Sequence, residues 1–230
     1  MRYASLAAFL LLAAPAEGAV RNFSITSFDR IRVDGPYQVN LKTNTAPFAR
    51  ASGTQASLDS VSIKVEGRTL IVRTDSHGSW GGYPGEGRGP VTIELGTHDL
   101  STIWVNGAGA IAVDRVKGLS FELAIMGSGV ARIDAADVDQ LKIGMSGSAS
   151  TRIAGKAAKL TATIRGTSSL DAENLAIKDA VIGAEGPALV KAAVAGTAKV
   201  DALGLAQVTL AGSPSCTVKS EGSASVTGCR

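Results

Sequence analysis

The stretch HGSWGGYPGEGRGP, residues 77–90, gathers more chemically capable groups than any other part of the chain. Its opening, HGSWG, approximates G-x-S-x-G, the elbow that exposes a nucleophilic serine on a strained strand-to-helix turn. His77 stands where the first glycine belongs, and no α/β alternation surrounds it. His98 is the only other histidine, so a Ser-His-acid relay has two bases to draw on and no setting to align either. His98 beside Asp99 reads as a solvated loop. Trp80 and Tyr83, set among glycines, have two readings: a lip that stacks on carbohydrate or touches a partner, or aromatics folded back over the end of the domain. The GEGRG run lacks the strand-to-helix context of a phosphate loop.

Two cysteines, Cys216 and Cys229, close the chain. In an oxidising compartment they read as a disulfide clamping the C-terminus, with two free thiols as the alternative. No spacing of Cys, His, Asp or Glu indicates a metal site, and no cofactor is expected. The formal charge of +3 is carried by dispersed residues. Without an aromatic-basic platform this does not point to nucleic acid.

The elements that hold these groups announce themselves as a repeat. Gly107, Gly127, Gly147, Gly166 and Gly186 follow one another at 20, 20, 19 and 20 residues. The places six, four and two before each glycine alternate as Phe121, Leu123, Ile125, then Leu141, Ile143, Met145, and so on through Ala180, Ile182, Ala184. Places two, four and six after it resume the alternation, the first always tiny: Gly109, Gly129, Ala149, Ser168 and Ala188. Period two marks a strand with one buried face. The unit is strand, glycine corner, strand and return loop, and its fixed period predicts a solenoid. The expected fold is all-β: a single-stranded right-handed parallel β-helix with about 20 residues per rung. Beyond Gly186 the markers read as Gly196, Gly212 and Gly222, with Pro214, Cys216, Val218, Ala224 and Val226 inward. Residues 20–100 carry the grammar irregularly, with TQASLDS as a short helical turn and a strand pair around Glu66-Gly67. They read as the opening rungs of one domain over 20–230, with 101–195 regular and 196–230 its last rungs and cap.

On such a coil every outward place stacks. Five beyond each glycine stand Ala112, Arg132, Arg152, Asp171 and Lys191. Arg132 and Arg152 read either as a clamp for an anion or as ordinary solvated side chains. Three before each glycine stand Trp104, Ala124, Gly144, Thr163 and Gly183, a short-sided face suited to self-association or to docking on a polymer. Trp104 is its natural anchor unless the return loop or the 77–90 insertion covers it. Polysaccharide lyases and hydrolases on this fold need acids, bases or calcium ligands clustered on one outward face. None is in register here, so no catalytic residue is assigned.

Residues 1–19, MRYASLAAFLLLAAPAEGA, read as a secretory signal cleaved after Ala16 or Gly18. Its apolar run is too short to span a bilayer, no later run spans one, and no cysteine follows for a lipid anchor. Export is therefore expected, to the periplasm or beyond the cell.

The stretch FDRIRVDGPYQVNL is similar to the opening motif of the "putative auto-transporter adhesin, head GIN domain" family, and VNGAGAIAV and IMGSGVARI resemble its recurrent Gly-small-Gly corners. The resemblance runs from about Phe23 to Gly228. It implies a secreted bacterial domain of stacked β-rungs whose biochemical role is largely unassigned. After Gly186 there is no Trp, Tyr or Phe, so no aromatic-girdled barrel for self-export is expected. Together these features predict a non-catalytic scaffold or interaction protein of the cell envelope. Its partners would be an envelope protein, a polysaccharide or a second copy. A glycan-binding module using Trp80, Tyr83 and Trp104 is the alternative, and a polysaccharide-acting enzyme the third.

Overall fold

Alternation of apolar and polar side chains forces an extended chain to bury one face, and a fixed period lets each turn of chain bury it against the next. The computed structural model describes residues 18–75 and 89–230. Its strands are β1 (Ala19–Phe23), β2 (Arg30–Asp34), β3 (Gln38–Lys42), β4 (Phe48–Gly53), β5 (Val61–Glu66), β6 (Thr69–Thr74), β7 (Thr92–Gly96) and β8 (Thr102–Gly107). Then come β9 (Ala110–Gly127), β10 (Val130–Gly147), β11 (Ser150–Gly166), β12 (Ser169–Glu185), β13 (Leu189–Val194) and β14 (Thr197–Gly204). The last are β15 (Gln207–Ala211), β16 (Ser215–Gly222) and β17 (Ser225–Thr227), and one short helix, α1 (Gln55–Asp59), precedes β5. They build a β-solenoid of about six turns, about 20 residues per rung.

The predicted faces hold in the regular rungs. Of the inward places around Gly107 to Gly186, all are buried except Ser101, which is half-buried while its hydroxyl donates to the Asp29 carbonyl. One inner column reads Leu70, Ile31, Ile103, Leu123, Ile143, Ala162, Ile182, Val200 and Val218 in unbroken parallel register. Each glycine corner has a positive φ and lies over the one before. At Gly127, φ is +117° and a Cβ would stand 2.7 Å from the Gly107 carbonyl oxygen. Only a residue without a side chain fits both demands.

Three expectations need correction. The return segment is a third β-paired side, not a loop. β9 to β12 run unbroken through it, with Ala136 on Gly155 and Val138 on Ala157, because Val116, Ala136, Val138, Leu175 and Ile177 are inward and buried. The glycine ladder also continues through Gly204, not Gly196 or Gly212. Gly204 lies over Gly186, Gly222 lies over Gly204, and Gly212 packs against Val194. The rung shortens there because Ala172 and Ala176 pair with the adjacent residues Ala192 and Ala193, leaving 173–175 outside the ladder. Finally, Val218 is 44% exposed and Cys216 half-buried, since no further rung covers them among the described residues.

The N-terminal end departs from parallel winding. β4 runs antiparallel to β1 and β7, and β5 to β6. β2 and β3 nevertheless form a rung of the regular kind, with β6 and β7 on one side and β8 and β9 on the other. The helical turn in TQASLDS is α1, capped by Thr54, whose hydroxyl accepts the Ser57 amide proton at 3.2 Å. No helix of the described residues is long and apolar enough to cross a membrane.

Candidate functional site

Trp104 sits on β8, three places before the corner glycine, and is half-buried. The outward column through it runs Ile71, Arg32, Trp104, Ala124, Gly144, Thr163, Gly183, Asp201 and Lys219. Around the indole lies an open cleft of about 490 Å³, lined by Arg32, Glu66, Thr69, Ile71, Asn106 and Met126. Ile71, Trp104 and the 62% exposed Met126 supply its apolar surface. Asp34 orders one wall: its carboxylate accepts from Arg32 Nε at 2.9 Å and from Asn106 Nδ2 at 2.6 Å. Among the described residues, the remaining guanidinium donors of Arg32 and the amide oxygen of Asn106 have no further side-chain partner. Beyond Trp104 the column carries only Ala124 and Gly144 before Thr163, and among the described residues a Cβ on Gly144 would meet nothing within 4 Å.

Arg132 and Arg152 stack in adjacent rungs, with Ala112 before them and Asp171 and Lys191 after. Their charge is answered locally. Arg132 Nε lies 2.6 Å from Asp134 Oδ1, Arg152 Nε lies 2.9 Å from Asp171 Oδ2, and Lys191 Nζ lies 3.8 Å from Glu173. A shared anion would have to displace two carboxylates, so this column is the weaker site.

Cys216 and Cys229 form the disulfide, with Cα atoms 5.7 Å apart. Cys216 lies over Ala198 at an inward place, so the bridge closes the C-terminal mouth of the core. His98 and Asp99 are exposed. Within β12, Asp179 is held below the ordinary carboxylate range by the Thr197 hydroxyl and then by its amide. Trp80 and Tyr83, with the rest of 76–88 and residues 1–17 of the leader, lie outside the described residues.

The cleft residues around Trp104 were not singled out from sequence, although part of the signal was present. Arg32 stands three places before Gly35, as Trp104 does before Gly107, and Asp34 and Asn106 each stand one place before. What was missing was the direct stacking of the Gly35 rung on the Gly107 rung, 72 positions away in sequence. Glu66 and Ile71 reach the cleft through the β5–β6 hairpin, the strand pair expected around Glu66-Gly67, but nothing in the repeat says where that hairpin docks.

Solved structures share the architecture. A Bacteroides fragilis protein described as a "putative adhesin" superposes with a TM-score of 0.82 at 14% identity, covering 92% of this chain and 96% of that one. A Parabacteroides distasonis protein described as a "putative lipid binding protein" gives 0.74 at 15% identity, with the same coverages of 92% and 96%. A "putative adhesin" of Parabacteroides merdae gives 0.69 at 14%, again over 92% and 96%. At such identities the likeness is one of fold. No curated protein matches the chain. The family model for the "putative auto-transporter adhesin, head GIN domain" matches residues 27–214, and the chain belongs to that family.

Proposed function

We propose that this chain is a non-catalytic interaction module of the cell envelope, exported by its leader, that meets its partner on the outward face of the solenoid carrying Trp104. The observation that carries this reading is the register of that face. A half-buried indole stands at the head of a column of short side chains, beside a cleft whose polar wall is held in place by Asp34. Rigid strands that pre-order a contact surface reduce the entropy lost on binding. The disulfide supports export, because such bridges persist in oxidising compartments. The family's adhesin description is in keeping with a binding role.

The test is photo-cross-linking in intact cells from a probe placed at Thr163 on this face, with a control probe at Lys156 on the third side. Adducts to an envelope component from Thr163 alone are expected. Adducts to cytoplasmic proteins, equal labelling from both positions, or turnover of polyuronates or esters by the purified chain would overturn the proposal.

A further inference from the structure

From the cleft's chemistry we infer that its ligand is a neutral sugar chain, whose first ring packs on Trp104 and whose following rings lie along the trough over Ala124 and Gly144. This rests on the interaction role proposed above and assigns the ligand class. A pyranose ring offers an apolar C–H face and a rim of hydroxyls, each both donor and acceptor. The cleft offers the complement: Ile71, Trp104 and Met126 below, with Arg32 donors, the Asn106 amide oxygen, the Glu66 carboxylate and Thr69 around them. Aromatic rings suit such a ligand because they pair an apolar surface with a wet edge.

Charge argues against the other occupants. Arg32 is neutralised by Asp34 at 2.9 Å, and Glu66 adds a second acid to the lining, so the groups that line the cleft hold no surplus positive charge for a phosphate. An acyl chain would leave these polar groups desolvated and unpaired. The trough adds length. Rungs rise about 4.8 Å, close to the advance per residue of an extended β-linked sugar chain, and among the described residues nothing lies within 4 Å of where a Gly144 Cβ would stand.

The chain has two tryptophans, so a Trp80→Phe background leaves Trp104 as the sole indole reporter. Cellohexaose, chitohexaose and maltohexaose are titrated separately, with inorganic phosphate and phosphatidylethanolamine–phosphatidylglycerol vesicles as competing classes. Saturable change in Trp104 emission with at least one hexaose is expected. Calorimetry on the natural chain should show affinity falling about tenfold or more in Trp104→Ala. Asn106→Ala, which keeps the indole and the fold, should weaken binding severalfold. Gly144→Ile should weaken the hexaose but not the disaccharide of the same linkage, while Arg132→Ala should leave both unchanged. Absence of binding to all three hexaoses, affinity that survives both Trp104→Ala and Asn106→Ala, or saturable binding to phosphate or vesicles instead overturns the inference. A chain that binds no sugar yet still cross-links from Thr163 in cells would discard the ligand class and keep the interaction role.

Discussion

At Thr151 a hydroxyl points into the core, stacked between Ala131 and Leu170, and its Oγ1 has no hydrogen-bond partner among the described residues. A desolvated, unpaired hydroxyl costs free energy that a methyl of the same shape does not. Thr151→Val should therefore stabilise the fold by about 1 kcal/mol, read as a higher urea midpoint with unchanged slope. Asp179 is the opposite case, a carboxylate whose charged form is favoured by the Thr197 hydroxyl and amide at 2.6 and 3.0 Å. Its folded pKa lies below its unfolded one, so its contribution is present above the ordinary aspartate range and disappears as pH falls through the lower, folded value. The urea midpoint of the natural chain should exceed that of Asp179→Asn at pH 7, and the difference should shrink as pH falls below the ordinary aspartate range. Alternation in the sequence placed Thr151 inward but could not show it unpaired, because pairing depends on the rungs above and below.

The elements at the two ends of the coil are finished differently, and this governs where it frays. At the N-terminal end, antiparallel β1, β4 and β5 with α1 replace parallel winding. At the C-terminal end β16 pairs only with β14, and β17 only with β15, among the described residues, and the Cys216–Cys229 bridge draws the chain across the mouth. The Arg230 amide completes the clasp by donating to the Pro214 carbonyl at 3.1 Å. In a stack of nearest-neighbour rungs, loosening the end should propagate little. Replacing both cysteines with serine should cost about 2–3 kcal/mol. Hydrogen exchange should accelerate across 215–230 while the amides of β10 and β11 keep their protection. The cysteines were readable as a clamp from their positions together with the expected export to an oxidising compartment. The ladder through Gly204 was not, because the shortened rung arises where the β12–β13 pairing skips 173–175, a decision made between neighbours.

For the molecule as a whole, the inner column from Leu70 to Val218 makes one continuous core, and the outer columns make its surface. Ile143→Asp places a charge in that column between Leu123 and Ala162, both buried and apolar.

 An uncompensated charge at such a place costs several kcal/mol, enough to unfold a domain of ordinary stability. Lys142→Asp, one place along the same strand and exposed, should stay within about 0.5 kcal/mol of the natural chain. Urea unfolding of the two variants checks the assignment of faces, and equal midpoints would contradict it.

What the sequence by itself determined is the local grammar: which side chains face inward, where the chain turns at a glycine, and that like places stack at a period of about twenty. These follow from the period-two geometry of a strand and from the lack of room for a side chain at a stacked corner. The tertiary structure alone decided that the Gly35 rung lies directly against the Gly107 rung, bringing Arg32 and Asp34 to Trp104 and Asn106. It also decided that a hairpin delivers Glu66 and Ile71 to the same cleft. A contact between residues 72 positions apart depends on how the intervening chain is folded away, and no local pattern carries that information.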